Sequence, residues 1–184
     1  DLSDVELNRL DKVLIERAKS GTASDYSLAA FRLLMYTGCR LGEVLSLKWD
    51  DVNLQENYIY LKDSKTGERS IPLNEIAKKV LLGVQKQEGN PYVFCGSKRG
   101  SHLVTLQTTW KRIRNKAGLP DVRIHDLRHS FASFALKKGV DLYTVSKLLG
   151  HKNIATTTRY AHLELEQLKK ATNIVAQAFN SRED

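Results

Sequence analysis

The chain has 184 residues, of which 41% are hydrophobic, and this is enough apolar material for one ordinary core. Lys and Arg number 29 against 21 Asp and Glu, giving a formal net charge of +8. Such a charge favours a polyanionic partner, either nucleic acid or an anionic membrane surface. The sequence contains neither an apolar run of the roughly 18 residues that a spanning helix needs nor a signal-peptide hydrophobic region. We therefore expect one cytoplasmic domain that does not associate with a membrane.

The two cysteines, Cys39 and Cys95, form no CxxC pair, so the sequence indicates neither a disulfide framework nor a structural zinc cluster. We expect both thiols to be free and buried. The chain begins with Asp1 rather than Met, and we expect a preceding segment to be missing from it.

Helical patterns dominate the first third of the chain. Ser3 and Glu6 have the spacing of a capping box, and apolar residues then recur at helical intervals to a break before Gly21. A second helix is predicted from about Ser24 to the Thr37-Gly38 break. A third, short helix is predicted from Gly42 to Leu47.

The pattern changes at Tyr58, where Tyr58 to Leu61 and Arg69 to Pro72 are typical of two strands around a turn. This predicts a small β-hairpin with Lys65 near its tip. Helical patterns return from about Asn74 to Gln87 and from Thr105 to Ala117. A loop with Gly, Pro and Ser separates them.

The last third is again helical. One helix opens near His125 and ends at Gly139, and Asp141 caps the next, which runs to Leu149. After a polar segment that leads to Tyr160, the tail is amphipathic. The predicted fold class is therefore α+β, mainly α with a small antiparallel β-sheet or hairpin.

Arg40 lies in a break between two predicted helices, flanked by Gly38 and Gly42. There a planar, permanently charged guanidinium can bind two phosphate oxygens. The alternative is a salt bridge to Glu43, three residues later, and both interpretations can hold together.

His125 and Arg128 are three residues apart at a helix start, so their side chains share a face where the helix dipole favours an anion. This predicts a phosphate pocket with a proton carrier beside it. The alternatives are an ordinary polar helix start and a zinc pair formed by His125 and His129. A metalloprotease helix would have Glu where Asp126 stands, and no third ligand is evident.

Lys65, His151 and Tyr160 each have an ordinary alternative: a solvated turn residue, a structural helix cap and a core aromatic. A phenol with a pKa near 10 is a poor nucleophile unless cations and hydrogen-bond donors stabilise its anion. The other basic residues supply that environment if the fold brings them together.

These residues together resemble the tyrosine recombinase (phage integrase) family, and the order and spacing match over almost the whole chain. The matching elements are Gly38-x-Arg40-x-x-Glu43, the hairpin Lys65, His125-x-x-Arg128, Leu149-Gly150-His151 and Tyr160.

The resemblance implies a catalytic role for each of these side chains. Arg40 and Arg128 would hold the scissile phosphate, with a further hydrogen bond from His151. His125 would act as a general acid/base, Lys65 would protonate the leaving 5′ oxygen, and Tyr160 would form a 3′-phosphotyrosine.

The resemblance also implies a site-specific DNA recombinase or integrase that needs no cofactor, ATP or metal ion. Its partners would be double-stranded DNA and further copies of itself in a tetrameric synapse. Residues 1–184 would form the catalytic domain, with a tail helix in 161–184 that docks on a neighbouring protomer or packs on its own core. The N-terminal DNA-clamping domain of the family would be absent from this chain. The setting would be the nucleoid of a bacterium, or DNA of a phage or other mobile element.

Three rival functions remain to be weighed. A type IB topoisomerase uses a similar residue set, but the Leu149-Gly150-His151 segment and the compact spacing favour a recombinase. A DNA-binding accessory protein without catalysis is disfavoured by the intact residue set. A cysteine phosphatase built on Cys95 would need Arg where Ser101 stands.

Overall fold

The computed structural model describes residues 2–21, 25–64, 67–138, 140, 142–150 and 161–179. Its helices are α1 (Asp4–Ser20), α2 (Tyr26–Thr37), α3 (Leu41–Leu45), α4 (Glu75–Leu82), α5 (Gln107–Lys116), α6 (Ile124–Lys137), α7 (Leu142–Leu149) and α8 (Ala161–Phe179). The strands are β1 (Val52–Asn53), β2 (Tyr58–Ser64) and β3 (Gly67–Pro72), preceded by a 3₁₀ turn at Trp49–Asp51. The mainly α fold with a small antiparallel sheet is confirmed. Ser24, Gly139 and Asp141, predicted at helix ends, lie outside the described residues.

The sheet is antiparallel in the order β1-β2-β3. Ile59 pairs with Ile71 and Leu61 with Arg69, and the register shifts between Leu61 and Ser64. The predicted hairpin is therefore confirmed, and a third, two-residue strand extends it. Lys65 lies outside the described part of the hairpin.

The ends of the first two helices follow from local chemistry. At the start of α1, Glu6 N donates to Ser3 Oγ at 3.2 Å and Ser3 N donates to Glu6 Oε1 at 3.0 Å, which confirms the capping box. Helix α2 ends at Gly38, whose φ of 73° is in the left-handed region. A Cβ there would lie 2.6 Å from Phe131 Cδ1, so glycine lets the end of α2 pack closely against α6.

Helices α3 and α4 depart from their predicted boundaries. Helix α4 stops at Leu82 rather than near Gln87, and its last turn tightens there, because the Gly83 N–H is shared between Lys79 O and Val80 O at 3.1 Å each. Helix α3 begins at Leu41 and ends at Leu45, whereas the predicted helix ran from Gly42 to Leu47.

Helix α2 lies at the centre of the core, in contact with α1, α4, α6 and α8. The Phe31 and Trp110 rings join α2 to α5 at a centroid distance of 5.4 Å. Phe179 of α8 packs on Tyr36 and Phe134 at 5.5 and 6.1 Å. Most of the apolar residues of α8 that the structure describes are thus buried within their own chain, and docking of this helix on a neighbouring protomer stays a prediction.

None of the helices in the described part of the chain is long and apolar enough to cross a membrane.

Candidate anion-binding site

Arg40 lies at the junction between α2 and α3, where Gly38 has just ended α2. Its backbone N–H donates to Glu43 Oε1 at 2.8 Å, and its Nη1 lies 3.5 Å from Glu43 Oε2. Its Nη2 donates to Gly150 O at 3.2 Å. The salt bridge to Glu43 is therefore present, and it orients a guanidinium whose side chain remains 21% exposed.

His125 and Arg128 lie in the first turns of α6, which begins where Arg123 N donates to Asp126 Oδ2 at 2.8 Å. His125 is exposed and Arg128 is partly buried. Both side chains line one cavity, as their spacing on the helix predicts. The His125 ring packs edge-on against His129 with centroids 4.7 Å apart.

The C-terminal end of α7 closes the site from the other side. Arg128 Nη2 donates to the Leu149 carbonyl, which also accepts from Arg69 Nη1 at 2.8 Å. Arg69 Nη2 donates to Leu148 O at 2.7 Å. These carbonyls form the negative end of the α7 dipole, where cations are stabilised.

Arg69 is a functional candidate that the sequence alone does not reveal. The sequence pattern places it only on a strand, yet its side chain is 5% exposed and lies 3.3 Å from Glu43 Oε2. The available signal was a long basic residue next to the apolar residues of an otherwise ordinary strand. Nothing local indicated its partners in α7, which lie 79 and 80 residues further along the chain.

Positive charge exceeds negative charge in this cluster. Within the described residues, the three guanidiniums of Arg40, Arg69 and Arg128 face one carboxylate, that of Glu43. Burial, together with the charges of Arg40 and Arg69, lowers the pKa of Arg128 to about 10. Burial also lowers the pKa of Arg69. Both remain protonated near neutral pH, so an anion that enters the cluster relieves the repulsion between them.

A cavity of about 530 Å³ opens beside the cluster. The basic side chains in its described lining are Arg40, Arg114, Arg123, His125 and Arg128. Its lining contains no carboxylate among the residues that the structure describes, and the N-terminal end of α6 contributes Ile124 and His125. Both features favour an anionic ligand with several oxygen atoms.

Cys39 borders the same cavity but is a poor nucleophile. Its side chain is buried and contacts the Thr37 hydroxyl at 3.0 Å. Burial raises the pKa of the Cys39 thiol to about 11, so the thiolate that would react is scarce at neutral pH.

The structure brings together Arg40, His125 and Arg128 of the predicted site residues. Lys65, His151 and Tyr160 lie outside the described residues. His151 follows Gly150, whose carbonyl accepts from Arg40, and Lys65 precedes β3, which carries Arg69.

The fold and the cavity define a class: a mainly α protein with an arginine-rich cavity that suits an anionic ligand. The phage integrase family model matches residues 5–167. Tyrosine recombinase XerA of Saccharolobus solfataricus is 36% identical over 169 residues, which is 89% of this chain and 55% of that protein. The chain belongs to the phage integrase family.

Solved structures agree with this assignment. A crystal structure of XerA recombinase is 33% identical, with a TM-score of 0.67 over 94% of this chain and 63% of that one. The XerH site-specific recombinase, bound to its difH substrate in a pre-cleavage complex, is 25% identical, with a TM-score of 0.63 over 84% of this chain and 51% of that one. The chain spans about half the length of the curated relatives that it matches.

Proposed function

We propose that residues 1–184 form the catalytic domain of a site-specific DNA recombinase, which cuts and rejoins DNA strands through a covalent bond to Tyr160. The observation that carries this proposal is the basic cavity of a phage integrase family member, into which Arg40, His125 and Arg128 converge. A DNA phosphodiester is a ligand that two guanidiniums and an imidazole can bind and activate together.

Arg40 and Arg128 hold the two non-bridging oxygens of the scissile phosphate. Each guanidinium has five N–H donors, and the contacts to Glu43, Leu149 and Gly150 leave donors free for phosphate oxygens. Their charge stabilises the transition state, in which negative charge accumulates on those oxygens. Two fixed cations can perform this task without a metal ion.

Tyr160 is the nucleophile in this proposal. Its phenolic oxygen forms a bond to phosphorus while the bond to the 5′ oxygen breaks, which leaves a 3′-phosphotyrosine. The Tyr160 proton passes to His125, the 5′ oxygen takes its proton from Lys65, and His151 donates a hydrogen bond to the phosphate. Attack by a 5′-hydroxyl of a partner strand reverses the step. One phosphodiester replaces another, so the reaction needs no ATP.

The partner is double-stranded DNA in the nucleoid of the cytoplasm, and strand exchange joins copies of the protein in a synapse on two DNA sites. The net charge of +8 serves contacts to the DNA backbone, and binding is expected to weaken steeply as salt is added. An affinity that does not depend on salt would count against a surface that grips phosphates.

The test uses nicked suicide duplexes drawn from DNA that flanks the gene. The protein is incubated with the DNA in EDTA and, in parallel, in Mg²⁺, and the products are separated on a denaturing gel. A Tyr160→Phe variant and a Tyr143→Phe control are treated in the same way. Tyr143 is a matched control because it is a 50% exposed tyrosine on α7. We expect a protein–DNA adduct that is lost only in the Tyr160 variant. Nicking that requires Mg²⁺ and leaves no adduct would show that the proposal is wrong.

A further inference from the structure

Arg69 is a buried guanidinium that joins the hairpin to two other elements. It donates to Leu148 O and Leu149 O at the end of α7 and lies 3.3 Å from Glu43 of α3. Burying an arginine carries a desolvation cost, which only good geometry and several hydrogen bonds offset. The fork of a guanidinium spans two successive carbonyls, whereas the single ammonium of a lysine cannot do so in the same way.

Both acceptors of the Arg69 Nη1 group are shared with the cavity arginines. Glu43 Oε2 is 3.3 Å from Arg69 and 3.5 Å from Nη1 of Arg40. The Leu149 carbonyl accepts from both Arg69 and Arg128. A displacement of Arg69 therefore changes the surroundings of Arg40 and Arg128, two of the guanidiniums that line the cavity.

Gly150 shows how closely Arg69 fits the end of α7. Its φ is 72°, and a Cβ added there would collide with the guanidinium of Arg69. The contact thus needs glycine for its backbone conformation and also for its lack of a side chain. In sequence, Gly150 immediately precedes His151, and Arg69 follows Lys65 by four residues.

We infer that Arg69 is a positioning residue, which fixes the hairpin and the end of α7 relative to each other and thereby holds Arg40 and Arg128 in place for the phosphate. The inference rests on the proposed function for its catalytic consequence. Arg69 touches neither the DNA nor the reacting atoms in this scheme. Its effect is therefore on the rate of the covalent step rather than on DNA affinity.

The first test compares Arg69→Gln, Arg69→Lys and, as a matched control, Arg9→Gln, which makes the same substitution at an exposed position of α1. DNA affinity is measured by fluorescence anisotropy, and adduct formation is measured in single turnover well below each unfolding midpoint. We expect Arg69→Gln to slow adduct formation about 100-fold, as a displacement near 1 Å does, with affinity within about threefold of the parent protein. Arg69→Lys should recover part of the rate, and the control should behave as the parent. A normal rate in folded Arg69→Gln, or equal losses of affinity and rate, would overturn the inference.

The second test uses the close contact at Gly150. Gly150→Ala displaces the Arg69 guanidinium, so it should slow adduct formation to a similar extent, and the double variant should be little slower than either single variant. Rate losses that multiply in the double variant would mean that the two residues act independently and would contradict the inference.

A third measurement separates this inference from the proposed function. If the parent protein forms no adduct, the proposed function fails, and Arg69 is then judged by amide hydrogen exchange. We expect faster exchange in the peptide spanning 147–152 in Arg69→Gln, and unchanged exchange in Arg9→Gln. Unchanged exchange in both variants would overturn the positioning role.

Discussion

Two buried polar clusters join distant parts of this chain, and they differ in charge. In the first, Asn74 donates to Tyr36 O at 2.9 Å and to Thr172 Oγ1 at 3.1 Å, while its side-chain oxygen accepts from Ala77 N. The second is built on Arg69 and Glu43 at the end of α7. Each uses hydrogen bonds to connect three elements.

The difference lies in what surrounds each cluster. The Asn74 cluster is neutral, and Tyr36, Asn74 and Thr172 are all buried away from the cavity. The Arg69 cluster is charged and shares its acceptors with Arg40 and Arg128, which line the cavity. We therefore expect damage to the first to reduce stability, and damage to the cavity side of the second to reduce the reaction rate.

The largest expected effect is on the rate of adduct formation. Arg128→Ala removes a cation that binds the scissile phosphate under the proposed function, and we expect adduct formation to slow about 1000-fold, or roughly 4 kcal/mol of transition-state stabilisation. Arg69 still occupies the Leu149 carbonyl, so urea unfolding should change by less than about 1 kcal/mol. Single-turnover rates and unfolding curves are measured together, with Arg9→Ala as control. An unchanged rate of adduct formation would show that Arg128 does not take part in the reaction.

Asn74→Ala should show the opposite profile. It removes the cap of α4 and leaves the Tyr36 carbonyl and the Thr172 hydroxyl without their Asn74 donor in the core. Loss of a cap costs about 1 kcal/mol, and buried polar groups that lose a partner add about 1–3 kcal/mol. We expect a total loss of roughly 3 kcal/mol in urea unfolding, with a normal adduct rate at low temperature. Asn115→Ala, an exposed position on α5, is the control. A large loss of adduct rate in the folded variant would contradict the expectation that the Asn74 cluster affects only stability.

Gly38 lies in sequence between Tyr36 of the Asn74 cluster and Glu43 of the Arg69 cluster. Gly38→Ala should therefore affect both stability and the rate of adduct formation. The alanine is strained at a φ of 73°, and its Cβ meets the Phe131 ring; we expect a loss of about 2 kcal/mol in unfolding free energy, together with slower adduct formation. Gly89→Ala separates backbone strain from the steric clash, because Gly89 has a φ of 78° with open space around it. Equal losses in the two variants would show that packing against Phe131 adds nothing.

The smallest expected effect concerns the pH dependence of stability. Burial raises the pKa of Cys39 to about 11, so the folded protein keeps the thiol proton where the unfolded chain loses it. The stability that Cys39 contributes in this way is fully present below the pKa of the unfolded chain, and it is lost as pH rises toward 11. Between pH 8 and 10 we expect Cys39 to account for about 1 kcal/mol of lost stability. Cys39→Ala should flatten this part of the pH profile, and Cys95→Ala should leave it in place.

Local signals in the sequence were enough to predict several elements. The capping box of Ser3 and Glu6 starts α1, and the alternation around Ile59 and Ile71 predicts the hairpin. The three-residue spacing of His125 and Arg128 places both on the cavity. The Arg40 to Glu43 ion pair was also foreseen, because the two residues are neighbours on one helical turn.

Contacts between distant residues were not predictable in the same way. Strand β1 has two residues and exists through its pairing with β2, so its own sequence carries little pattern. The burial of Arg69 depends on carbonyls about 80 residues away. A basic residue on a strand has the same local appearance whether it faces solvent or the end of a helix. The placement of Lys65, His151 and Tyr160 stays a prediction.

The Leu149 carbonyl accepts hydrogen bonds from two guanidiniums, those of Arg69 and Arg128, in the protein without DNA. Before any phosphate arrives, a backbone dipole already serves as the counter-charge for Arg128. The guanidinium is therefore ordered by folding, and binding does not have to supply the side-chain entropy of up to about 2 kcal/mol that ordering a free arginine costs. Under the proposed function, an arriving phosphate adds a full negative charge beside the partial one, at a cation that is already in position. Helix α7 would thus prepare Arg128 for the substrate before the substrate binds.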